Sequence, residues 1–301
     1  MLSKSSNAQH QPITNLSYLK RSKSIATLGA SACLALILSA CSQENSPNET
    51  AVVTENAPQT TPPSDAIRIA AAANLSDVLS EIIEGYKKDK NLHNQEIEVT
   101  FASSGKLYSQ ITAGAPSDIF LAANQEFPAK LVDEMFKGDS SHTPFTYTQG
   151  QLSIYSATKP VDSLNQSTLT ELLKRDDKTK ITIANPELAP YGESAKAYLQ
   201  AQNLYDSLTA QKRIIQAENI GQAFQYAHTG NVDYGFVAQS QVTATKATPE
   251  QFYILPADSY PAILQDGIVI TDGASAADFT DYLRSPAGQA YFAKAGYLAV
   301  K

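Results

Sequence analysis

The sequence contains no tryptophan and only two cysteines among its 301 residues. Cys33 lies inside an apolar N-terminal run and Cys41 follows that run, so a chain cleaved between them keeps one cysteine and forms no internal disulfide. The sequence also lacks a G-x-S-x-G motif and a His-x-x-x-His spacing. These absences remove the usual sequence signs of a serine hydrolase and of a zinc site. The sequence therefore favours neither an enzyme nor a metal-ion site.

The N-terminal forty residues have the pattern of a secretory signal. Lys20, Arg21 and Lys23 precede a short apolar run at 25–38, and the run ends in Leu-Ser-Ala before Cys41. This ending resembles the bacterial lipobox, which makes Cys41 the lipidated first residue after cleavage. We therefore predict a lipoprotein signal peptide at 1–40 and a membrane-anchored protein in the periplasm or at the cell surface. The alternatives are a plain signal peptide, cleaved near residue 40, and a signal anchor.

The stretch after the signal contains almost no large apolar side chains. Residues 41–65 are rich in Ser, Asn, Glu, Thr and Pro, so we predict a disordered tether there. Residues 1–40 hold four of the 23 basic side chains and none of the 30 acidic ones, so the mature chain has a net charge of about −11. This acidic surface argues against nucleic acid as a partner.

Strand-like and helix-like patterns alternate along the rest of the chain. Apolar runs at 67–71, 97–101 and 118–122 predict strands, and a helical spacing of apolar residues follows each run. This alternation predicts an α/β fold built on a doubly wound parallel sheet. An extended stretch at 146–157 predicts a crossover into a second lobe, where the alternation resumes. We assign residues 66–146 and 260–301 to lobe 1 and residues 147–259 to lobe 2.

Several predicted strands end directly before a helix begins. Asn74 is positioned to cap the first helix, Ser103 or Ser104 the second, and Asn219 a later one. The first helical amides have no acceptor within their own helix, and the helix dipole is positive at that end. Four such helix starts, two from each lobe, predict one cleft that binds an anion at the carboxyl ends of the strands.

Six short segments in this order and spacing resemble the molybdate-binding proteins of bacterial ABC importers, a branch of the periplasmic binding protein superfamily. The segments are Ala71–Leu75, Phe101–Leu107, Ile111–Asp118, Ala184–Glu187 with Pro190–Gly192, Ala217–Ile220 and Gly235–Val237. The resemblance covers residues 67–296. It implies a two-lobed, hinged fold that closes on a tetrahedral molybdate or tungstate ion in the cleft between its lobes.

The resemblance also implies which residues bind the ion and what the protein does. Asn74 and Ser104 would donate from side chain and backbone, and Tyr191 and Ile220 would donate backbone amides. Some family members place a tyrosine hydroxyl where this chain has Ala238. Donors of this kind imply no direct metal-ion ligands and no cofactor. The implied function is non-enzymatic capture of molybdate or tungstate by a monomer that delivers it to an ABC-transporter permease.

Two other functions remain open on the sequence. The same fold serves many ligands, so the chain could bind another oxyanion or a small carboxylate. It could also be a surface lipoprotein without a transport role, either an adhesin or an enzyme.

Overall fold

The computed structural model describes residues 66–175 and 178–300. The predicted signal peptide (1–40), the predicted lipidation at Cys41 and the predicted tether (41–65) lie outside the described residues. Within the described residues, no helix is both long enough and apolar enough to cross a membrane.

Five strands form the first sheet, in the spatial order β2-β1-β3-β10-β4. They are β1 (Ile67–Ala72), β2 (Ile97–Ala102), β3 (Ile119–Leu121), β4 (Phe145–Gly150) and β10 (Ile263–Val269). β1 runs parallel to β2 and β3, whereas β10 runs antiparallel to both β3 and β4. The inner strand β1 is buried at every position except one, as the continuous apolar run of the sequence predicts.

Five further strands form the second sheet, in the order β7-β6-β8-β5-β9. They are β5 (Leu152–Tyr155), β6 (Ile181–Ala184), β7 (Ile214–Ala217), β8 (Tyr234–Ala238) and β9 (Phe252–Ile254). β6 is parallel to β7 and β8, and β5 is antiparallel to β8 and β9. The two sheets, each with its own flanking helices, confirm the predicted two-lobed α/β fold.

The sheets are mixed, so the expectation of a wholly parallel sheet is wrong in this detail. One strand in each sheet runs against the others, β10 in the first and β5 in the second. Both strands follow a passage of the chain between the lobes. A single residue, Gln151, separates the end of β4 from the start of β5, and β10 returns to the first sheet after β9. The predicted lobe boundaries stay predictions, although residues 147–150 belong to β4, which pairs with β10 in the first sheet.

Ten α-helices accompany these strands in the described part of the chain. They are α1 (Ser76–Asp89), α2 (Ser104–Thr112), α3 (Glu126–Met135), α4 (Gln166–Lys174), α5 (Pro190–Ala201), α6 (Tyr205–Ala210), α7 (Ile220–His228), α8 (Gln239–Ala244), α9 (Ala274–Arg284) and α10 (Pro286–Lys294). The first sheet is covered by α1, α9 and α10 on one face, where Leu79, Phe279 and Phe292 are buried, and by α2 and α3 on the other. The second lobe packs around a separate core that includes Ile183, Tyr198 and Phe236.

The predicted caps have different outcomes. Asn219 caps α7, since its side chain accepts a hydrogen bond from the Gln222 amide at 3.0 Å. The expected cap at Asn74 is wrong: this residue lies in a single 3-10 turn before α1, and its side chain makes no capping bond. Its carboxamide turns instead into the protein interior, where it contacts two buried side chains.

Candidate ligand-binding site

A small cavity, with a volume of about 10 Å³, lies between the two lobes, at the carboxyl ends of β1, β2 and β6. All four residues predicted to bind the ligand line it, although they come from distant parts of the sequence. The full lining is Ala72, Ala73, Asn74, Ala102, Ser103, Ser104 and Ala123 from the first lobe, and Ala189, Pro190, Tyr191, Asn219 and Ile220 from the second. The side chains are mostly small, so backbone amides can approach a ligand closely.

Three of these residues present backbone amides at helix starts. Ser104 and Ile220 are the first residues of α2 and α7, and Tyr191 is the second residue of α5. Among the described residues, no group accepts a hydrogen bond from any of the three amides. Their helix dipoles add positive potential at the same point. The cavity therefore offers converging donors from both lobes to an anion.

Two serine hydroxyls at the start of α2 add further donors. The Ser104 hydroxyl oxygen accepts a hydrogen bond from the Ala123 amide at 2.9 Å, which leaves its own hydrogen for a ligand. Ser103 occupies the cap position of α2, but its hydroxyl makes no capping bond. That hydroxyl is buried and has no partner within the described structure. The sequence pointed to Ser103 only as a possible cap, so its place in the cavity was missed.

Asn74 lies at the floor of the cavity and is only 1% exposed. Its amide nitrogen donates to Gln265 Oε1 and to the Tyr297 hydroxyl, each at 3.0 Å. Its backbone carbonyl accepts from Tyr297 at 2.7 Å and from Ser240 of the second lobe at 3.1 Å. Asn74 Oδ1 is buried without a partner in the described structure. Neither Gln265 nor Tyr297 was singled out from the sequence.

The cavity has no charged side chain in its lining. Burial raises the pKa of Tyr147, Tyr191 and Tyr297 above the usual tyrosine range, so these hydroxyls stay neutral at physiological pH and do not repel an anion. Ala238, where the resemblance implied a tyrosine in some family members, is not part of the lining. A buried anion here would be neutralised by neutral donors and helix dipoles rather than by a countercharge.

The two lobes contact each other around the cavity. The Gly105 amide of α2 donates to the Leu188 carbonyl of the second lobe at 2.9 Å. At the exposed rim, Lys106 of the first lobe forms an ion pair with Glu218 of the second. These contacts describe a closed arrangement of the lobes over the cavity.

The described residues contain no cluster of three or more His, Cys, Asp or Glu side chains that could hold a metal ion. The donor set of the cavity, amides and hydroxyls, matches the needs of an oxyanion rather than of a cation.

A family model described as bacterial extracellular solute-binding protein matches residues 67–298. The chain belongs to this family. The molybdate-binding protein ModA of Azotobacter vinelandii is 34% identical over 235 residues, which cover 77% of this chain and 89% of that protein. A Bacillus subtilis protein named as an ABC transporter substrate-binding lipoprotein is 29% identical over 236 residues, covering 77% of this chain and 86% of its own length.

Solved structures agree with the sequence matches. The periplasmic molybdate-binding protein of A. vinelandii superposes with a TM-score of 0.70 and 31% identity, and the match covers 78% of this chain and 100% of that one. The resemblance noted from the sequence is thereby confirmed. As a bacterial extracellular solute-binding protein, the chain is the solute-binding component of a transport system.

Proposed function

We propose that this solute-binding protein captures molybdate or tungstate for import by an ABC transporter. The observation that carries the proposal is the cavity between the lobes, whose free amides and hydroxyls come from both lobes and whose lining has no charged side chain. The names of the relatives at 34% and 31% identity point to the same ligand. They favour neither another class of solute nor a surface role without transport.

The hydrogen-bond donors of the cavity select among oxyanions by whether the oxyanion carries a proton. Molybdate is a dianion that carries no proton at neutral pH, so every oxygen can accept a hydrogen bond. Such charge-assisted hydrogen bonds are worth about 1.5–3 kcal/mol each. Phosphate keeps a proton at this pH and needs an acceptor, so its rejection requires that Asn74 present its amide nitrogen rather than Oδ1 to the cavity. Sulfate has the right charge but is smaller, so the size of the cavity must reject it.

The residues that we propose to bind the ion are Asn74, Ser104, Tyr191 and Ile220, with Ser103 added by the structure. The ion is cargo, and we propose that the protein needs no cofactor and catalyses no reaction. Its partner would be the permease, which would receive the ion when the lobes open. We propose that the protein acts as a monomer.

Thermal melting of the chain without its first 41 residues tests the proposal, with molybdate, tungstate, sulfate and phosphate in parallel. A ligand that binds only the folded protein stabilises it by RT ln(1 + [L]/Kd), about 4 kcal/mol at a thousandfold excess over Kd. We expect a large rise in Tm with molybdate and tungstate alone. A rise with phosphate, or no rise with molybdate and tungstate, would contradict the proposal.

We further propose that lipid on Cys41 anchors the mature protein outside the cytoplasm. Cys41→Ser removes the lipidated thiol, and we expect the protein to move from the membrane fraction to the soluble fraction. Fractionation followed by immunoblotting measures the change. A Cys41→Ser protein that stayed with the membrane would rule out this anchor.

A further inference from the structure

Gln265 connects the ligand-binding residues of the two lobes. It lies on β10 with no exposed surface. Its Oε1 accepts hydrogen bonds from Asn74 of the first lobe at 3.0 Å and from the Tyr147 hydroxyl at 3.1 Å. Its Nε2 donates to the hydroxyl of Tyr191 in the second lobe at 3.2 Å. One buried carboxamide thus contacts two of the residues that we propose to bind the ion.

This arrangement of the hydrogen bonds leaves two buried groups unpaired among the described residues. The amide nitrogen of Asn74 is used by Gln265 and Tyr297, so Oδ1 is the amide atom left for the cavity, and it has no donor. The Tyr191 hydroxyl accepts from Gln265, and its own hydrogen has no acceptor. Each such buried group destabilises this arrangement.

A second arrangement of the same atoms pairs both groups. The nitrogen and oxygen of a carboxamide are nearly the same size, so each amide can turn over in place. If Asn74 and Gln265 turn together, Gln265 donates to Asn74 Oδ1, and Tyr191 donates to the Gln265 oxygen. Tyr297 can then donate to Asn74 Oδ1, because Ser240 already donates to the Asn74 carbonyl. The Asn74 amide nitrogen is left to face the cavity with both of its hydrogens.

We propose that Gln265 is a positioning residue that holds Asn74 in the donor orientation and so makes the cavity select oxyanions that carry no proton. This inference rests on the proposed function, since it concerns the same site. With Oδ1 facing inward, the cavity would contain one acceptor and would suit a protonated oxyanion. With the nitrogen facing inward, the cavity contains donors only. The turn of a single carboxamide pair decides between these two classes of ligand.

The close approach of Gly150 to Tyr191 and Gln265 is a second observation, and it supports a fixed arrangement of these side chains. It is the last residue of β4, at the passage to the second lobe. A Cβ atom at this position would overlap the Tyr191 hydroxyl and would lie 2.8 Å from Gln265 Nε2. The backbone therefore packs directly against this pair of side chains, and the network has no room for a water molecule on that side.

Neutron diffraction from crystals of the ligand-free protein, grown in deuterated medium, tests the orientation directly. We expect deuterium on the Asn74 amide atom that faces the cavity, and on the Gln265 atom that faces Asn74. Deuterium on the Asn74 atom that faces Gln265 and Tyr297 would overturn the inference. This measurement does not depend on which solute the protein binds.

Calorimetry with molybdate and phosphate tests the consequence for binding. Gln265→Met keeps the length of the side chain but removes its donor and acceptor, so Asn74 is free to turn. We expect molybdate affinity to fall about tenfold or more and the preference for molybdate over phosphate to shrink. Gln289→Met is the matched control, because Gln289 donates to the Tyr147 and Leu283 carbonyls, away from the cavity. It should leave both affinities unchanged.

Three outcomes are decisive. An unchanged molybdate-to-phosphate ratio in a folded Gln265→Met protein would overturn the role of Gln265. An equal loss of molybdate affinity in Gln265→Met and Gln289→Met would mean that Gln265 contributes only packing, and would likewise overturn its positioning role. If the wild-type protein bound none of the oxyanions, the proposed function would fail, while the neutron map would still decide the orientation of Asn74.

Discussion

At the scale of single residues, the proposed site depends on small side chains that leave polar groups free. Ser103 shows this most clearly, because its hydroxyl is buried at 3% exposure and makes no hydrogen bond within the described structure. A buried hydroxyl without a partner costs free energy in the ligand-free protein. A ligand that accepts a hydrogen bond from this hydroxyl removes that cost. The same reasoning applies to the Asn74 carboxamide.

Replacing Ser103 by alanine should separate binding from stability. Ser103→Ala removes a donor to the ion, and a hydrogen bond to a charged group is worth about 1.5–3 kcal/mol, so we expect molybdate affinity to fall about tenfold or more. The Tm of the ligand-free protein should stay the same or rise, because no hydrogen bond is lost. Isothermal titration calorimetry and thermal melting measure the two effects.

Ser109→Ala is the control for this substitution. Ser109 lies on the same helix, and its hydroxyl donates to the Gly105 carbonyl at 2.9 Å rather than to the cavity. Its removal should not change molybdate affinity. If Ser103→Ala bound molybdate as tightly as the wild type, Ser103 would not be a ligand-binding residue.

The candidate residues at helix starts could be predicted from the sequence together with the family resemblance, whereas those that depend on buried contacts could not. Asn74, Ser104, Tyr191 and Ile220 stand at strand-to-helix junctions that the sequence displays, and the structure gathers all four in one cavity. The hydrogen-bond partners of Gln265 are distant in sequence. Tyr147 is more than a hundred positions away, and Asn74 is farther still. No local pattern signals that such a glutamine will be buried beside the site.

At the scale of secondary-structure elements, one carboxylate holds three strands of the first sheet together. Asp118 precedes β3 and accepts hydrogen bonds from the backbone amide and the guanidinium of Arg68 on β1, at 2.8–3.1 Å. It also accepts from the Thr271 hydroxyl, just beyond β10, at 3.2 Å. Arg68, the second residue of β1, therefore supports the sheet through Asp118.

The stability of the first lobe should depend on pH through Asp118. Burial opposes its ionisation, but the hydrogen bonds from Arg68 and Thr271 outweigh that effect, so the pKa of Asp118 is lowered. A lowered pKa stabilises the fold above the unfolded-state pKa of about 3.9, and this contribution is lost as the pH falls through the folded-state pKa. We expect Asp118→Asn to lower the free energy of unfolding by about 1–3 kcal/mol at pH 7.

Urea unfolding at pH 7 and at pH 2–3 measures this effect. The difference between Asp118→Asn and the wild type should shrink at the acidic pH, where the wild-type carboxylate takes up its proton. Asp133→Asn, on the exposed face of α3, is the control and should change stability little at either pH. A constant difference between Asp118→Asn and wild type across this range would contradict the assignment.

The order and type of most elements followed from the periodicity of apolar residues, whereas strand direction did not. The apolar run at 67–71 and the helical spacing after it gave β1 and α1 directly. Periodicity reports which side chains are buried and carries no information about the direction of a strand in its sheet. The reversed strands β5 and β10 could therefore not be predicted, nor could the short helix α8, whose six residues span less than two turns.

At the scale of the whole molecule, two passages of the chain connect the lobes. One runs through Gln151, between β4 and β5, and the other lies between β9 and β10. Gln151 also donates to the Gly296 carbonyl of the first lobe at 2.7 Å. Because only these two passages of backbone join the lobes, the relative position of the lobes depends on the contacts between them. Closure over the ligand would then be set by contacts between the lobes, such as that of Gly105 with Leu188.

Gly105 is placed where a side chain would press against the second lobe. A Cβ atom there would lie 3.1 Å from the Leu188 backbone of the second lobe and 2.9 Å from the Phe127 ring. Opening of the lobes relieves the first contact, a small shift of the end of the Phe127 ring relieves the second, and alanine is at least as compatible with a helix as glycine. We expect Gly105→Ala to lower molybdate affinity about tenfold or more while the ligand-free protein keeps its Tm.

Gly221→Ala is the matched control, because Gly221 is likewise the second residue of a helix at the cleft. Its Cβ would meet the other lobe only at Ala73, at an ordinary contact distance of 3.7 Å, and would require a small shift of the Asn219 side chain. Small-angle X-ray scattering should show the wild type and Gly221→Ala becoming more compact with molybdate, and Gly105→Ala changing less. If Gly105→Ala closed and bound as the wild type does, Leu188 would have to yield, and closure would not depend on this contact.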